Sequence, residues 1–238
     1  GEIPSVIGHE FAHGLDTNDG NGFSPEEGTG EVYADTLAFT VTHDPCIGEN
    51  FYPARGGCNG VRNVNKSPEA TPNNITDPPY DCDYCPCPKT FYEGPMGYEG
   101  HCESLIASGA TWDMAANLRA VLGDLTGWTR FERIFYRSLS TVGSAYQIAS
   151  GGKCSKWRSI NGCAASNWYT VYLSIDDDNG NLADGTPHAC RIWDAFNAHG
   201  IACGRMRPAC NSHCNPLKPF LVSASSADRQ VTLNWKPV

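Results

Sequence analysis

The sequence predicts a mainly α fold, interrupted by a long Cys-rich loop insertion and followed by a partial β-sandwich segment. Three observations carry this expectation. Apolar residues recur at helical spacing in several separate stretches, the signature of helices with one face on a core. Residues 44–100 are rich in Cys, Pro, Asn and Gly and show no sustained period. In residues 220–238 the apolar run Phe220-Leu221-Val222 is followed by a polar turn and then by Val231, Leu233 and Trp235 alternating with polar residues, as in a half-buried strand.

The first helix is expected from Pro4 to about His13. Proline suits a first helical position, Ile7 and Phe11 share a face at i,i+4, and Gly14 is a natural stop. Residues 16–30 form a polar loop, and a second helix starts near Glu31, with Tyr33 and Leu37 facing a core. Helical spacing returns over residues 103–122, 128–139 and 188–199, the last carrying Ile192 and Phe196. The Cys-rich stretch is longer than an ordinary connection, so it is read as an insertion pinned by disulfides or a surface lobe. Asn215-Pro216 and Lys218-Pro219 make a stiff connector. It divides a domain at residues 1–215 from a segment at 216–238.

Composition narrows the function. A net charge of −9 argues against nucleic acid, whose phosphates need clustered Lys and Arg. No apolar run approaches the roughly 18 residues of a membrane span. Twelve cysteines, an even number, point to disulfides and a secreted, extracellular protein. A structural zinc at Cys82, Cys85 and Cys87 is the weaker alternative, because no second pair with zinc-knuckle spacing follows. Asn65-Lys-Ser and Asn74-Ile-Thr are glycosylation sequons in a eukaryotic host. Oligomeric state and substrate preference are not legible.

The chemistry is concentrated in His9-Glu10-Phe11-Ala12-His13. On a helix, positions i and i+4 lie on one face, so two imidazoles can reach one metal ion with Glu10 beside it. Catalytic zinc takes three protein ligands and keeps a position for water, whose pKa it lowers toward neutrality. Glu10 is then the group to take that water's proton and deliver it to a leaving amine. The alternative is a pair of solvated helix histidines. Downstream, Gly30-Glu31-Val32-Tyr33-Ala34-Asp35 offers a carboxylate that can complete the ligand set. Asp35, one turn later, can accept the N–H of a ligating histidine and fix its tautomer. Standing alone, Glu31 and Asp35 would read as two solvated acids.

The pattern H-E-x-x-H-G followed by G-E-x-x-x-D resembles the gluzincin metallopeptidases, more narrowly the thermolysin and fungalysin families. Trp112-Asp113 and Leu118-Arg119 are similar to a later helix of the fungalysins. The resemblance covers residues 1–40 well and 100–205 loosely. It implies Zn2+ on His9, His13 and Glu31, with Glu10 as catalytic acid/base and Asp35 behind a ligand. It also implies a thermolysin-like C-terminal catalytic subdomain whose partner subdomain lies upstream of Gly1, and a protein or peptide substrate. The final segment looks like the opening strands of a fibronectin type III or related β-sandwich. Thermolysin-like enzymes place a later histidine over the reacting carbonyl. His188 is the candidate for that catalytic role, and His101 a weaker one. His43, His199 and His213 have no motif around them.

Three alternatives remain open on the sequence. In a metzincin-like peptidase Asp19, six residues after His13, would be the third ligand. That arrangement needs a glycine three residues after the second histidine, where this chain has Asp16. An aminopeptidase activity could use the same motif. A secreted adhesive or structural module with a degenerate metal site is the non-enzymatic reading, and the presence of His9, Glu10, His13 and Glu31 counts against it. Separately, Asp176, Asp178 and Asp184 stand around a Gly turn in an oxygen-rich loop that suits Ca2+ but lacks EF-hand spacing.

Overall fold

The computed structural model describes residues 3–20, 29–54, 56–65, 104–142, 167–210, 221–227 and 230–235. Among these are six helices: α1 (Pro4–Asn18), α2 (Thr29–Thr42), α3 (Leu105–Leu122), α4 (Asp124–Ser138), α5 (Trp168–Asp176) and α6 (Ala189–Ala198). Two short antiparallel pairs accompany them. β1 (Cys46–Ile47) runs beside β2 (Arg62–Asn63), and β3 (Leu221–Ala227) beside β4 (Gln230–Trp235). The chain is therefore mainly helical. Cys82, Cys85, Cys87, His101, His213 and the Asn74 sequon lie outside the described residues.

Helix α2 is the axis of the helical part. Every residue from Gly30 to Thr40 is buried, the polar Glu31, Asp35, Thr36 and Thr40 among them, so the helix shows no exposed polar stripe there. α1 lies along one side and α3 along another; α4 and α6 pack on α3, and α5 bridges α4 and α6. Aromatic rings fill the space between α2, α3 and α4. The Phe39 ring meets Trp112 edge-on at 5.3 Å between centroids and lies 5.6 Å from Phe131. Trp168 and Tyr172 of α5 form a second cluster, in which Tyr172 meets Phe196 of α6 at 5.7 Å.

α1 departs from expectation in two ways. It runs on past Gly14 to Asn18, and in its last turn Thr17 Oγ1 donates back to His13 O and Asn18 Nδ2 to Gly14 O. Its apolar pair also faces outward, with Ile7 57% and Phe11 63% exposed. The buried face consists of Ser5, Gly8, His9, Ala12 and Asp16. The reason is the closeness of α2, since a Cβ on Gly8 would sit 3.3 Å from the Ala38 Cα. Large side chains do not fit that face.

α4 begins at Asp124, four residues earlier than the apolar spacing suggests. Gly123 turns with φ 82°, a conformation that suits glycine, and Arg119 pairs with Asp124 across the corner. α5 was not anticipated, although its start carries a local signal: the Asn167 side chain accepts from the Thr170 N–H, as an N-cap should. Disulfides join Cys46 to Cys58 and Cys190 to Cys210, in keeping with the oxidised cysteines expected of an extracellular chain. No helix among the described residues is long and apolar enough to cross a membrane.

Candidate metal centre

The close packing of α1 on α2 brings His9, His13 and Glu31 together. One ligand atom from each lies within 4.8 Å of the other two. His9 Nε2 is 3.3 Å from Glu31 Oε2, and His13 Nε2 is 3.6 Å from Glu31 Oε1. Ligands about 2.0–2.1 Å from a tetrahedral zinc stand about 3.3–3.4 Å apart, so these spacings suit a small divalent ion. The donor set, two imidazoles and one carboxylate, suits it as well.

Burial and support differ across the three. His9 and Glu31 are buried, whereas His13 is partly open to solvent. His9 Nδ1 lies 3.0 Å from Asp35 Oδ1, which assigns a ring proton to Nδ1 and turns Nε2 toward Glu31. Asp35 is fully buried and is gripped by Arg62, whose Nε donates to both carboxylate oxygens at 2.8 and 3.1 Å. Ser108 Oγ adds a donor at 3.4 Å. Burial alone would raise the Asp35 pKa; the Arg62 charge, with hydrogen bonds from His9 and Arg62, holds it well below the usual carboxylate range. Burial likewise opposes charge on His9, but hydrogen bonds to Asp35 and Glu31 outweigh it and push the ring up to about 9. A proton and a metal ion therefore compete for His9.

Arg62 was not found by sequence reading. No motif surrounds it, and it reaches the centre only because β2 pairs with β1. Glu10 follows His9, about 100° farther round the helix, and is exposed. Among the described residues its side chain makes no ion pair or hydrogen bond. Asp19 ends α1 as its C-cap and is not part of the three-residue group.

The remaining candidate residues have partners of their own. His188 does stand at the start of a helix, as its N-cap, but it is buried against Asp176 rather than joined to the metal ligands. Its Nδ1 is 2.8 Å from Asp176 Oδ1, and its N–H donates to Asp176 Oδ2 at 2.7 Å. Asp176 is not an open oxygen ligand for Ca2+ either. It is fully buried and also holds Thr186 Oγ1 at 2.7 Å and Arg130 Nε at 3.0 Å. Asp178 and Asp184 are exposed, and Asp184 accepts from the Asn179 side chain. With Asp176 committed elsewhere, the three carboxylates do not converge. His199 pairs with Asp113 at 3.1 Å, and the His43 ring stacks on Trp128 at 4.0 Å.

The Asp176 cluster ties α4, α5 and α6 together. Asp176→Ala is expected to cost about 3–5 kcal/mol of stability, read from urea unfolding, because the buried His188 and the half-buried Arg130 lose their acceptor. Burial raises the Asp176 pKa, but hydrogen bonding and the charges of His188 and Arg130 win and lower it to about 2. A depressed folded value means stability that is present above the ordinary pKa of about 3.9 and is lost as pH falls toward 2. The variant should lack that acid-dependent part.

No family model, curated protein or solved structure matches this chain. The functional reading rests on its own residues.

Proposed function

We propose that the chain is the catalytic part of a secreted, gluzincin-type zinc endopeptidase that hydrolyses protein or peptide substrates. The observation that carries this is the convergence of His9 Nε2, His13 Nε2 and the Glu31 carboxylate, with the other nitrogen of His9 tied to a buried carboxylate. An incidental cluster has no need of a tautomer-fixing partner.

Zinc in such a site lowers the pKa of a bound water and polarises the scissile carbonyl. The protein's own residues do the rest. His9 and His13 turn their Nε2 atoms toward Glu31 from one helix face, and Glu31 reaches them from the first turn of the buried α2. Asp35 keeps the His9 proton on Nδ1, away from the metal side. Glu10, exposed and uncommitted, accepts the proton of the attacking water and passes it to the leaving amine as the C–N bond breaks.

The test is metal content and proteolysis on the purified full-length protein. About one zinc per chain is expected by elemental analysis, with casein cleavage that a chelator abolishes and added zinc restores. Absence of bound metal would overturn the metal reading. Stoichiometric zinc without hydrolysis of casein or peptide substrates would favour an adhesive or structural module instead.

A further inference from the structure

We propose that the Cys46–Cys58 disulfide is a positioning element of the metal centre, acting by holding Arg62 against Asp35 and Glu31. The inference rests on the metal reading above. Arg62 touches three members of the centre at once. Besides its two bonds from Nε to Asp35, its terminal nitrogen lies 2.5 Å from Asp35 Oδ1, 3.6 Å from Glu31 Oε2 and 3.4 Å from His9 Nδ1. The guanidinium thus braces both the ligand Glu31 and the carboxylate that orients the ligand His9.

The cross-link is the covalent part of the frame that carries Arg62. β1 and β2 are two residues each, far too short a ladder to stand alone. Their frame includes Val61 N–H on Ile47 O at 2.9 Å, Val64 N–H on Pro45 O at 3.0 Å, Tyr52 N–H on Asn59 O at 2.8 Å, an Asn50–Asn59 side-chain pair at 3.0 Å, and the disulfide. Cys46 lies in β1 itself, and Cys58 comes four residues before Arg62, its sulfur 3.5 Å from the Arg62 carbonyl oxygen. Gly60 completes the packing. A Cβ there would press into the Ile47 carbonyl and sit 3.0 Å from Cys46 Sγ. One further contact fixes the assembly to the histidine helix: Gly48 N–H donates to Ser5 Oγ at 2.8 Å.

Two effects of loosening this frame oppose each other. Moving a positive charge away from a cation site favours the cation. Releasing Asp35 lets the His9 ring and Glu31 lose their fixed geometry, which disfavours it. Arg62 is neutralised by a two-pronged pair with Asp35, so its field at the metal is that of a dipole. Loss of orientation therefore wins, and loss of such outer support typically weakens metal binding about 10–100-fold.

The experiment measures zinc dissociation constants by competition with a chromophoric chelator, on full-length protein checked for folding by circular dichroism. Cys46→Ala/Cys58→Ala is expected to weaken zinc binding about tenfold or more, and Arg62→Ala similarly. Adding Arg62→Ala to the double variant should give little further loss, because both act through one contact. Cys190→Ala/Cys210→Ala, which removes a disulfide outside this frame, should leave affinity nearly unchanged. Gly60→Ala disturbs the same frame without touching sulfur and should weaken binding in the same direction. It decides the matter if the cysteine variant fails to fold. An unchanged constant in the folded Cys46/Cys58 variant, an equal loss in the Cys190/Cys210 control, or fully additive losses would overturn the inference alone. A wild-type protein that binds no zinc would overturn both readings.

Discussion

Glu31→Ala is expected to weaken zinc binding by about two to three orders of magnitude, while Asp19→Ala leaves it nearly intact. Structural zinc sites with four ligands bind with about 10–16 kcal/mol, so one ligand accounts for roughly a quarter of that. The structure gives the contrast its basis. Glu31 lies within 3.3 and 3.6 Å of the two histidines, whereas Asp19 closes α1 outside the group. Chelator competition checks both variants. Tight binding by Glu31→Ala with loss in Asp19→Ala would return the third position to Asp19 and exclude the gluzincin reading. Acidity provides a second handle on the same equilibrium. His9 is raised to about 9 in the metal-free protein, so the metal must displace a proton below that pH. Affinity should therefore rise with pH up to about 9, by about tenfold per unit while one proton is displaced.

Glu10→Gln is expected to keep zinc and lose about 10²–10⁴ in kcat on a peptide substrate. The amide matches the carboxylate in size but cannot accept the water's proton. Because Glu10 is exposed and outside the ligand group, the change should leave folding and the zinc constant as they were. Stoichiometric zinc with unchanged turnover would remove Glu10 from the chemistry. A fall in zinc content to match the fall in rate would instead make it a support for the ligands.

The legible part of the centre lies in short-range spacing. His9 and His13 are one helical turn apart, as are Glu31 and Asp35, so two helices carry four of the interacting side chains in readable order. What was illegible depends on long-range pairing. Arg62 reaches Asp35 from 27 residues away through a two-residue ladder that no pattern announces. Asp176 reads as one of three acids in a polar loop, yet it is the last residue of α5, turned inward by Arg130 from 46 residues earlier. The same blindness affected α1. Its apolar spacing indicated a helix but not which face is buried, because the closeness of Ala38 to Gly8 belongs to packing and not to local sequence.

The outward-turned apolar pair on α1 has a thermodynamic corollary. Most helices are retained by removing their oily stripe from water, but α1 leaves Ile7 and Phe11 wet and adds only Ala12 and the half-buried Leu15 to the apolar core. A cation shared by His9, His13 and Glu31 would act as a rivet between the two helices, contributing through mass action what hydrophobic contact does not. At a free ion concentration a hundred times the dissociation constant, that coupling is worth about 2.7 kcal/mol. On this view the ion is a folding ligand as well as a reagent, and resistance to heat or proteolysis depends on how much metal the surroundings supply.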